Sequence, residues 1–343
     1  MTRIGYRHSA RVGAVAVLFV AALFDLGALW RSVDAQPASG ALETRTVRVG
    51  LVVPAASFLP IYLLAERAPE DEGLSVEVVN LRGGATLSQA LASGAVDVGV
   101  AGLGPLVTMI NAGHAVRTFF YAGVSHAEYE WFANPAVRSW GDVRGKRLGI
   151  TTLGSLTHWF TRQALRRHGL DPERDAQFIQ VGGSPTALQA LRAGRVDVAI
   201  LAPPFRWQAG AEGFRKLGDE LSEIGAEWPR NTYLAKQGFL DTHPRTVRAL
   251  LRAHVRAIRA ARADRALAVR TLMQALKYER GHAERAYDEV VGNLNERGTL
   301  SANGVRVFFE LARLEGEVTE PWPESRFLDR RFIDTFEEWA PPS

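Results

Sequence analysis

The chain has 343 residues, of which 47% are hydrophobic and 23% charged, and this composition predicts an ordinary globular protein of about two domains. Its formal net charge of +4 is too small to indicate a nucleic-acid-binding surface. It contains no cysteine, which excludes disulfides, thiolate metal sites, a lipoprotein anchor and a cysteine nucleophile.

The N-terminus has the three-part pattern of a secretory signal. Three arginines within residues 1–11 precede the apolar run Val12–Phe24, and the text "VDA" ends at Ala35 with small residues typical of a cleavage site. We predict a signal peptide over 1–35, cleaved near Ala35, and a linker over 36–45. The alternative is an uncleaved inner-membrane anchor that continues through Asp25 to Trp30. Cleavage is favoured because an acidic residue within a membrane span is costly.

From residue 46 onward, strand and helix patterns alternate. "TVRVGLVVP" predicts a strand over 46–54, "SFLPIYLLAER" predicts a helix N-capped by Ser57, and "LSVEVVNL" predicts a strand over 74–81. A helix and a strand within 86–101, a helix from Pro105 and a strand over 116–124 follow. Successive units of this kind predict a mostly parallel sheet with right-handed crossovers.

Part of this pattern occurs twice, at an offset of 100 residues. "GGATLSQALASGAVDV" begins at residue 83 and "GGSPTALQALRAGRVDV" at residue 182, and eight positions between Thr86 and Val98 recur 100 residues later. Each copy predicts a helix N-capped by Thr86 or Thr186, a glycine stop and a buried parallel strand. Two copies predict two related α/β domains, and the divergent text after each strand is expected to line a ligand site.

The second half begins with the same alternation of strands and helices and then becomes mainly helical. It predicts a strand before Thr151, an amphipathic helix from Ser155 and a strand over 175–183. From about residue 243 to 276 the sequence predicts one long helix that carries eight arginines between residues 245 and 270. We interpret the arginines as a solvated face. The alternative is a surface that docks an acidic partner or anionic lipid.

No motif indicates catalysis, a metal or a cofactor. The eight histidines lack metal-ligand spacing, and the glycine-rich segments lack the lysine of a phosphate-binding loop. Asp97 and Asp197 recur in the repeat beside a glycine turn, and we interpret them as structural residues rather than a catalytic pair. We therefore expect no metal, no cofactor and no catalytic residue.

The strongest site hypothesis is the segment "TTLGSLTHW", Thr151–Trp159, where a strand ends and a helix begins. Unsatisfied N–H groups at a helix N-terminus favour an anionic group, and the hydroxyls of Ser155 and Thr157 add donors. Ser155 is also the natural cap of its own helix, and the two roles are compatible. "PAASF", after the first strand, is the equivalent position in the other half.

In order and spacing, several segments resemble the nitrate/sulfonate/taurine-type substrate-binding proteins of bacterial ABC importers. The segments are "VGLVVPAASFLPIYLLAE", "GGATLSQALASGAVDVGV", "DVRGKRLGITTLGSLTHWFTRQALRRHGLDPERDAQFIQVGG", "ALQALRAGRVDVAILAPPF" and "FLDTHPRTVRALLRAHVRAI". The resemblance implies a type II periplasmic binding fold: two α/β lobes, each a mostly parallel sheet flanked by helices, joined by two crossovers. It implies lobe 1 over 46–126 and 231–343, and lobe 2 over 127–230.

The resemblance also implies where the ligand lies. By position, it places the following residues in the cleft: Ser57, Phe58, Leu103, Gly104, Thr152, Ser155, Thr157, Pro203 and Phe205. If the helix end at Ser155 is only a cap, we expect Tyr129, Trp131 and Phe205 to hold the ligand by apolar contact.

The implied function is that of a monomeric periplasmic solute-binding protein. It would capture a small anionic or polar organic ligand and deliver it to an inner-membrane ABC permease and its ATPase, without a cofactor or nucleic acid. The alternative is an enzyme, a lyase or dehydratase that needs no cysteine and acts in the same cleft. A third class is a ligand-binding signalling protein without an importer.

Overall fold

The computed structural model describes residues 41–81, 83–123, 128–225 and 227–342. The predicted signal peptide and most of the linker lie outside these residues. Among the residues described, no helix combines the length and the apolar character that crossing a membrane requires.

Ten strands form two sheets within the described chain. The first sheet contains β1 (Thr46–Leu51), β2 (Ser75–Asn80), β3 (Val98–Ala101), β4 (Val116–Tyr121) and β10 (Thr232–Lys236). The second contains β5 (Glu130–Ala133), β6 (Lys146–Ile150), β7 (Ala176–Gln180), β8 (Val198–Leu201) and β9 (Arg215–Asp219).

Helices cover the sheets and fill the C-terminal third. In chain order they are α1 (Leu59–Glu72), α2 (Gly84–Ser93), α3 (Leu103–Asn111), α4 (Leu156–Arg167), α5 (Ser184–Arg192), α6 (Phe205–Ala211), α7 (Glu220–Glu223), α8 (Gln237–Thr242), α9 (Pro244–Ala263), α10 (Arg265–Leu276), α11 (Arg280–Val290), α12 (Ala302–Leu314), α13 (Glu324–Phe327), α14 (Arg331–Asp334) and α15 (Phe336–Trp339).

The two sheets have the same strand pattern. Their orders are β2-β1-β3-β10-β4 and β7-β6-β8-β5-β9. In each sheet four strands run in one direction and one runs against them: β10 is antiparallel to β3 and β4, and β5 is antiparallel to β8 and β9. The chain passes to the second sheet after β4 and returns to the first at β10. The predicted architecture of two mostly parallel sheets and two crossovers is therefore confirmed.

We call the part built on the first sheet lobe 1 and the part built on the second lobe 2. All strands before residue 126 and after residue 231 belong to the first sheet, as the predicted boundaries require. Helix α12 and the residue after it contact the lobe 2 range: Phe308 packs on Trp228, and Glu315 pairs with Arg166 of α4. Asn111 at the end of α3 donates a hydrogen bond to the carbonyl of Glu317. The division at 126/127 and 230/231 remains a prediction.

The sequence repeat builds matching joints in the two lobes. The carboxylate of Asp97 accepts hydrogen bonds from the backbone N–H and the guanidinium of Arg48, and Asp197 does the same for Arg147. The structural interpretation of both aspartates is thereby confirmed. Gly94 and Gly194 have φ angles of 76° and 64°, the left-handed conformation that ends each repeat helix.

The predicted starts of both repeat helices are wrong, and so is the single long helix predicted over 243–276. Helices α2 and α5 begin at Gly84 and Ser184, with Gly83 and Gly183 as caps, so the threonines of the repeat lie inside the first turn. The predicted long helix is two helices. Asp264 separates α9 from α10 and caps α10 by accepting a hydrogen bond from the N–H of Leu267 at 2.8 Å.

The arginines of α9 are not simply solvated. Arg252 and Arg256 both pair with Glu72 of α1, and Arg259 and Arg262 both pair with Glu296. These ion pairs fix α9 to its neighbours, while its opposite face is buried through Val247, Leu250, Leu251, Val255 and Ile258. The arginine face of α9, which the sequence analysis assigned to solvent, thus forms ion pairs within the molecule.

Candidate functional site

A cavity of about 300 Å³ lies between the lobes, at the strand ends that face each other. Most of its lining residues come directly after β1, β6, β7 and β8 in the chain, or directly before the antiparallel β5. They therefore lie at the carboxyl ends of the parallel strands, where open α/β sheets bind ligands. The lining residues are Val53, Pro54, Ala55, Ala56, Ser57, Glu128, Tyr129, Thr151, Thr157, Gly182, Gly183, Ser184, Pro185, Ile200, Ala202, Pro203, Phe205, Tyr278, Ala286, Glu289 and Val290.

The lobe 1 wall is the turn after β1. A short 3-10 turn, Ala56–Phe58, precedes α1, so Ser57 is not the helix cap that the sequence predicts. Its hydroxyl instead donates a hydrogen bond to Oε2 of Glu128 at 3.2 Å, and its carbonyl accepts one from Asn231. Ser57 therefore links the first lobe to the start of the second at the cavity wall.

Glu128 and Tyr129 form the wall where the chain enters lobe 2. Their backbone N–H groups donate to Oε2 of Glu220, which is buried and pairs with Arg230. The guanidinium of Arg230 lies 5.7 Å from the ring centre of Tyr129. Burial first, and then the negative charge of Glu128, raise the pKa of Tyr129 to about 12, and Arg230 acts against them. The Tyr129 phenol is thus neutral at physiological pH and can donate a hydrogen bond.

The segment after β6 forms a hydroxyl network. Oγ1 of Thr157 accepts a hydrogen bond from the N–H of Thr151 at 3.0 Å and lies 2.9 Å from Oγ of Ser155. Oγ of Ser155 accepts from the N–H of His158 and donates to the carbonyl of Thr152. Ser155 is thus a helix cap, and Thr157 is the residue of this segment that lines the cavity together with Thr151.

Five of the eleven residues expected in the cleft line the cavity, and six do not. Those in the lining are Ser57, Tyr129, Thr157, Pro203 and Phe205. Those outside it are Phe58, Leu103, Gly104, Trp131, Thr152 and Ser155. The fully buried Trp131 faces the core of lobe 2, where its Nε1 donates to Thr161 at 3.0 Å, because alternate residues of a strand face opposite sides.

Leu103 and Phe58 are also core residues, 0% and 2% exposed, and Thr152 is exposed beside the cavity. Gly104 lies with Leu103 at the start of α3, directly after β3, and no residue at this strand end lines the cavity.

Sequence reasoning missed the residues that α11 and the loop before it contribute. Ala286, Glu289 and Val290 have the spacing of one helix face, which is a detectable signal, but nothing in the local sequence indicates that this face meets the cleft. The turn from Gly182 to Pro185 was also missed, because the predicted strand 175–183 includes its first two residues, whereas β7 ends at Gln180.

Contacts between α6 and α11 close one side of the cavity. The buried Arg206 pairs with Glu130 in lobe 2 and with Glu289 of α11. Nε1 of Trp207 donates to Oε1 of Glu289 at 3.1 Å, and the guanidinium of Arg285 lies 4.7 Å from the Trp207 ring centre. We call these four side chains of α6 and α11 (Arg206, Trp207, Arg285 and Glu289) the interlobe latch.

A further bond joins the lobes beside the latch, because the hydroxyl of Tyr278 donates to the carbonyl of Pro203 at 3.2 Å. The cavity is therefore enclosed by bonds that any opening of the cleft must break.

The cavity wall contains two carboxylates. Among the lining residues that the structure describes, two are glutamates and none is lysine, arginine or histidine. In the same described part of the chain, no group of three or more His, Asp or Glu side chains is placed to hold a metal ion. The wall can offer carboxylate and carbonyl acceptors, hydroxyl donors and aromatic surface.

Two similar lobes, two crossovers and a cavity between facing strand ends define the periplasmic binding protein fold. The chain belongs to the NMT1-like family, whose model matches residues 40–276. A putative ABC transporter periplasmic binding protein of Brachyspira hyodysenteriae is 25% identical over 250 residues, which are 67% of this chain and 69% of the relative.

The taurine-binding periplasmic protein of Escherichia coli is 24% identical over 191 residues, 54% of this chain and 57% of that protein. Among solved structures, the alkanesulfonate-binding protein SsuA of Xanthomonas axonopodis pv. citri, bound to MOPS, superposes with a TM-score of 0.68. It is 21% identical, and the match covers 84% of this chain and 100% of that one.

Proposed function

We propose that this protein is the solute-binding component of an ABC importer. It binds a small polar organic ligand between its lobes and delivers the ligand to an inner-membrane permease. The observation that carries the proposal is the enclosed cavity at the facing strand ends, which has the volume of about ten water molecules. A relative whose name includes ABC transporter periplasmic binding protein and a fold neighbour bound to MOPS support it.

The partners and the location follow from that role. We propose that the mature protein is a periplasmic monomer released by cleavage near Ala35, and that the permease works with an ATPase. N-terminal sequencing of the exported protein is expected to begin at Gln36 or a neighbouring residue. An intact Met1 in the membrane fraction would support the uncleaved anchor instead.

Ligand binding is tested by thermal stability in a panel of small polar metabolites. A ligand at one hundred times its Kd stabilises the folded protein by about 2.7 kcal/mol, which a melting curve resolves. Ala202→Trp places a large ring in the cavity and is expected to abolish the shift. Ala263→Trp, at an exposed position of α9, is the matched control and keeps it. Equal shifts in both variants would locate the ligand elsewhere.

We also propose that the cleft binds without catalysis. The ligand recovered after prolonged incubation with the protein is then chemically unchanged, as mass spectrometry would measure. A product that lacks water or has been cleaved would establish the lyase or dehydratase alternative. A ligand that binds while deletion of the protein leaves uptake intact would establish a role in signalling.

A further inference from the structure

Several hydroxyl groups of the cavity lining already have partners within the protein. Oγ1 of Thr157 lies 2.7 Å from Oγ1 of Thr151 and 2.9 Å from Oγ of Ser155. Oγ of Ser184 accepts a hydrogen bond from the backbone N–H of Ala202 at 3.0 Å. A ligand that bonds to these hydroxyls competes with bonds that the protein already makes, so the net gain in affinity is small.

Other polar side chains of the lining join the two lobes to each other. The hydroxyl of Ser57 in lobe 1 donates to Glu128 at 3.2 Å, and the hydroxyl of Tyr278 donates to the carbonyl of Pro203 in lobe 2 at 3.2 Å. Glu289 is paired within the interlobe latch. In this arrangement these polar atoms keep the cleft closed, and selection among ligands falls to the rest of the wall.

Apolar side chains from both lobes make up much of that wall. Ala55 and Ala56 belong to the turn after β1, Ile200 belongs to β8, and Ala286 and Val290 belong to α11. These side chains offer contact area and no hydrogen bonds. A ligand with an apolar body therefore gains affinity here by removing that body and the wall from water.

Three aromatic rings lie in the same lining. Tyr129 precedes β5, Phe205 begins α6, and Tyr278 lies in the loop before α11. All three side chains are half-buried, so each ring keeps accessible surface. Tyr129 also packs edge-on against Phe160, with ring centres 6.3 Å apart, whereas Phe205 offers a ring that consists of hydrocarbon alone. Contacts between aromatic rings contribute more than the burial of their area.

We infer that this cleft binds a ligand that carries an aromatic ring, and that the ring packs against Phe205. The inference rests on the proposed solute-binding function and narrows its ligand class. The cavity of about 300 Å³, the volume of about ten water molecules, has room for one six-membered ring and a polar group. The ring is buried against the apolar wall, and the neutral phenol of Tyr129 can donate a hydrogen bond to the polar group.

The test compares probes that share a polar group and differ in the body attached to it. One series is benzamide, cyclohexanecarboxamide and acetamide, and the other is benzoate, cyclohexanecarboxylate and acetate. In each series that binds, calorimetric titration of the mature wild-type protein at pH 7 is expected to give the phenyl member a Kd about ten- to hundredfold lower than the methyl member, because the ring buries more apolar surface. The phenyl member is expected to bind about two- to tenfold more tightly than the cyclohexyl member, because only the phenyl ring makes aromatic contacts.

Two substitutions locate the preference. Phe205→Leu keeps an apolar side chain and removes the ring, and the preference for phenyl over cyclohexyl is expected to fall about twofold or more. Phe214→Leu is the matched control: both phenylalanines are half-buried against the same core cluster of lobe 2, but Phe214 lies outside the cavity lining. Its preference should equal that of the wild type. The comparison of probes on the wild type needs no substitution, so a variant that fails to fold does not remove the test.

The outcomes separate the inference from the proposed function. Cyclohexyl members that bind as tightly as phenyl members, or a phenyl preference that Phe205→Leu leaves unchanged, overturn the inference while solute binding stands. Binding of only those panel members that lack a ring has the same meaning. Failure of these probes and of the wider metabolite panel to stabilise the protein overturns the solute-binding function, and the inference with it.

Discussion

Asp97 and Asp197 show how single residues hold a duplicated fold together. Each accepts one backbone and two guanidinium hydrogen bonds from an arginine at the start of a neighbouring strand, about 50 residues earlier in the chain. The charge-assisted bonds with Arg147 lower the pKa of Asp197, although burial opposes them. A carboxylate preserved in both copies of the repeat thus serves the scaffold and not the cleft.

Removing this carboxylate is expected to cost stability and spare binding. Asp197→Asn loses the charge-assisted bonds to Arg147, and we expect the free energy of unfolding to fall by about 1–3 kcal/mol. Urea denaturation measures the loss. Asp288→Asn breaks an exposed pair with Arg265 and is expected to cost much less than Asp197→Asn. Equal losses from the two variants would contradict the structural role of Asp197.

Glu43 ties the first described residues to the start of α9. Its carboxylate accepts hydrogen bonds from the backbone N–H groups of Arg245 and Thr246 and from the Thr246 hydroxyl. Burial alone would raise its pKa, but these bonds outweigh it and lower the pKa of Glu43 from 4.5 to about 2. A depressed pKa means that the stabilisation is complete above pH 4.5 and is lost as the pH falls toward about 2.

This sign gives a pH-dependent prediction. The difference in unfolding free energy between wild type and Glu43→Gln is expected to be constant near pH 7 and to shrink steadily between pH 4.5 and 2, because the protonated wild-type side chain loses the same bonds. Denaturant titrations at several pH values measure it. Glu337→Gln, in an exposed pair with Arg297, is the control and should show no such trend. A difference that grows in acid would exclude this origin.

At the scale of the element, the interlobe latch joins a helix of each lobe. Trp207→Ala removes the ring that contacts both Arg285 and Glu289 and is expected to favour the open arrangement of the lobes. Small-angle scattering should then give a larger radius of gyration than wild type without ligand. Trp207→Phe keeps the apolar ring and loses only the N–H donor, so its expansion should be smaller. An unchanged radius for Trp207→Ala would show that the latch does not control opening.

The predicted elements agree with the structure where the local sequence determines them. The two sheets could be predicted from the alternation of strands and helices and from the repeat. Apolar strands and glycine helix stops are local features of the sequence. The break at Asp264 could not be located from local sequence, since the residues on both sides of it favour a helix. The break depends on Asp264 capping the N-terminus of α10. Helix ends depend on such contacts more than on propensity.

The cavity residues also divide into those that local sequence predicts and those that depend on contacts distant in sequence. Strand ends gave Ser57, Thr157, Pro203 and Phe205, since the rule that ligands bind at the carboxyl ends of strands needs only the strand positions. Glu128 and the α11 residues follow from how the crossovers and the C-terminal helices fold back, which depends on contacts distant in sequence. Trp131 was misplaced because the side of a four-residue strand that faces the core depends on its register.

At the scale of the whole molecule, each crossover leads into the one antiparallel strand of the sheet that the chain enters. Strand β5 follows directly after the first four strands of the first sheet and lies between β8 and β9 in the second, whereas β10 completes the first sheet only after all strands of lobe 2. The two sheets therefore have the same strand pattern. They differ in the sequence separation between neighbouring strands, which is larger in the first sheet.

This difference sets an order of assembly. The second sheet comes from the continuous stretch 130–219, but β3 and β4 cannot join until β10 arrives more than 100 residues after β4 ends. Closing that long loop costs chain entropy, so we expect lobe 2 to fold first while β3 and β4 keep open edges. Pulsed hydrogen exchange during refolding should protect the amides of β6 and β8 before those of β3 and β10. Simultaneous protection would contradict this order. Until β10 arrives, the emerging chain has two unpaired sheet edges, and aggregation is expected to begin there.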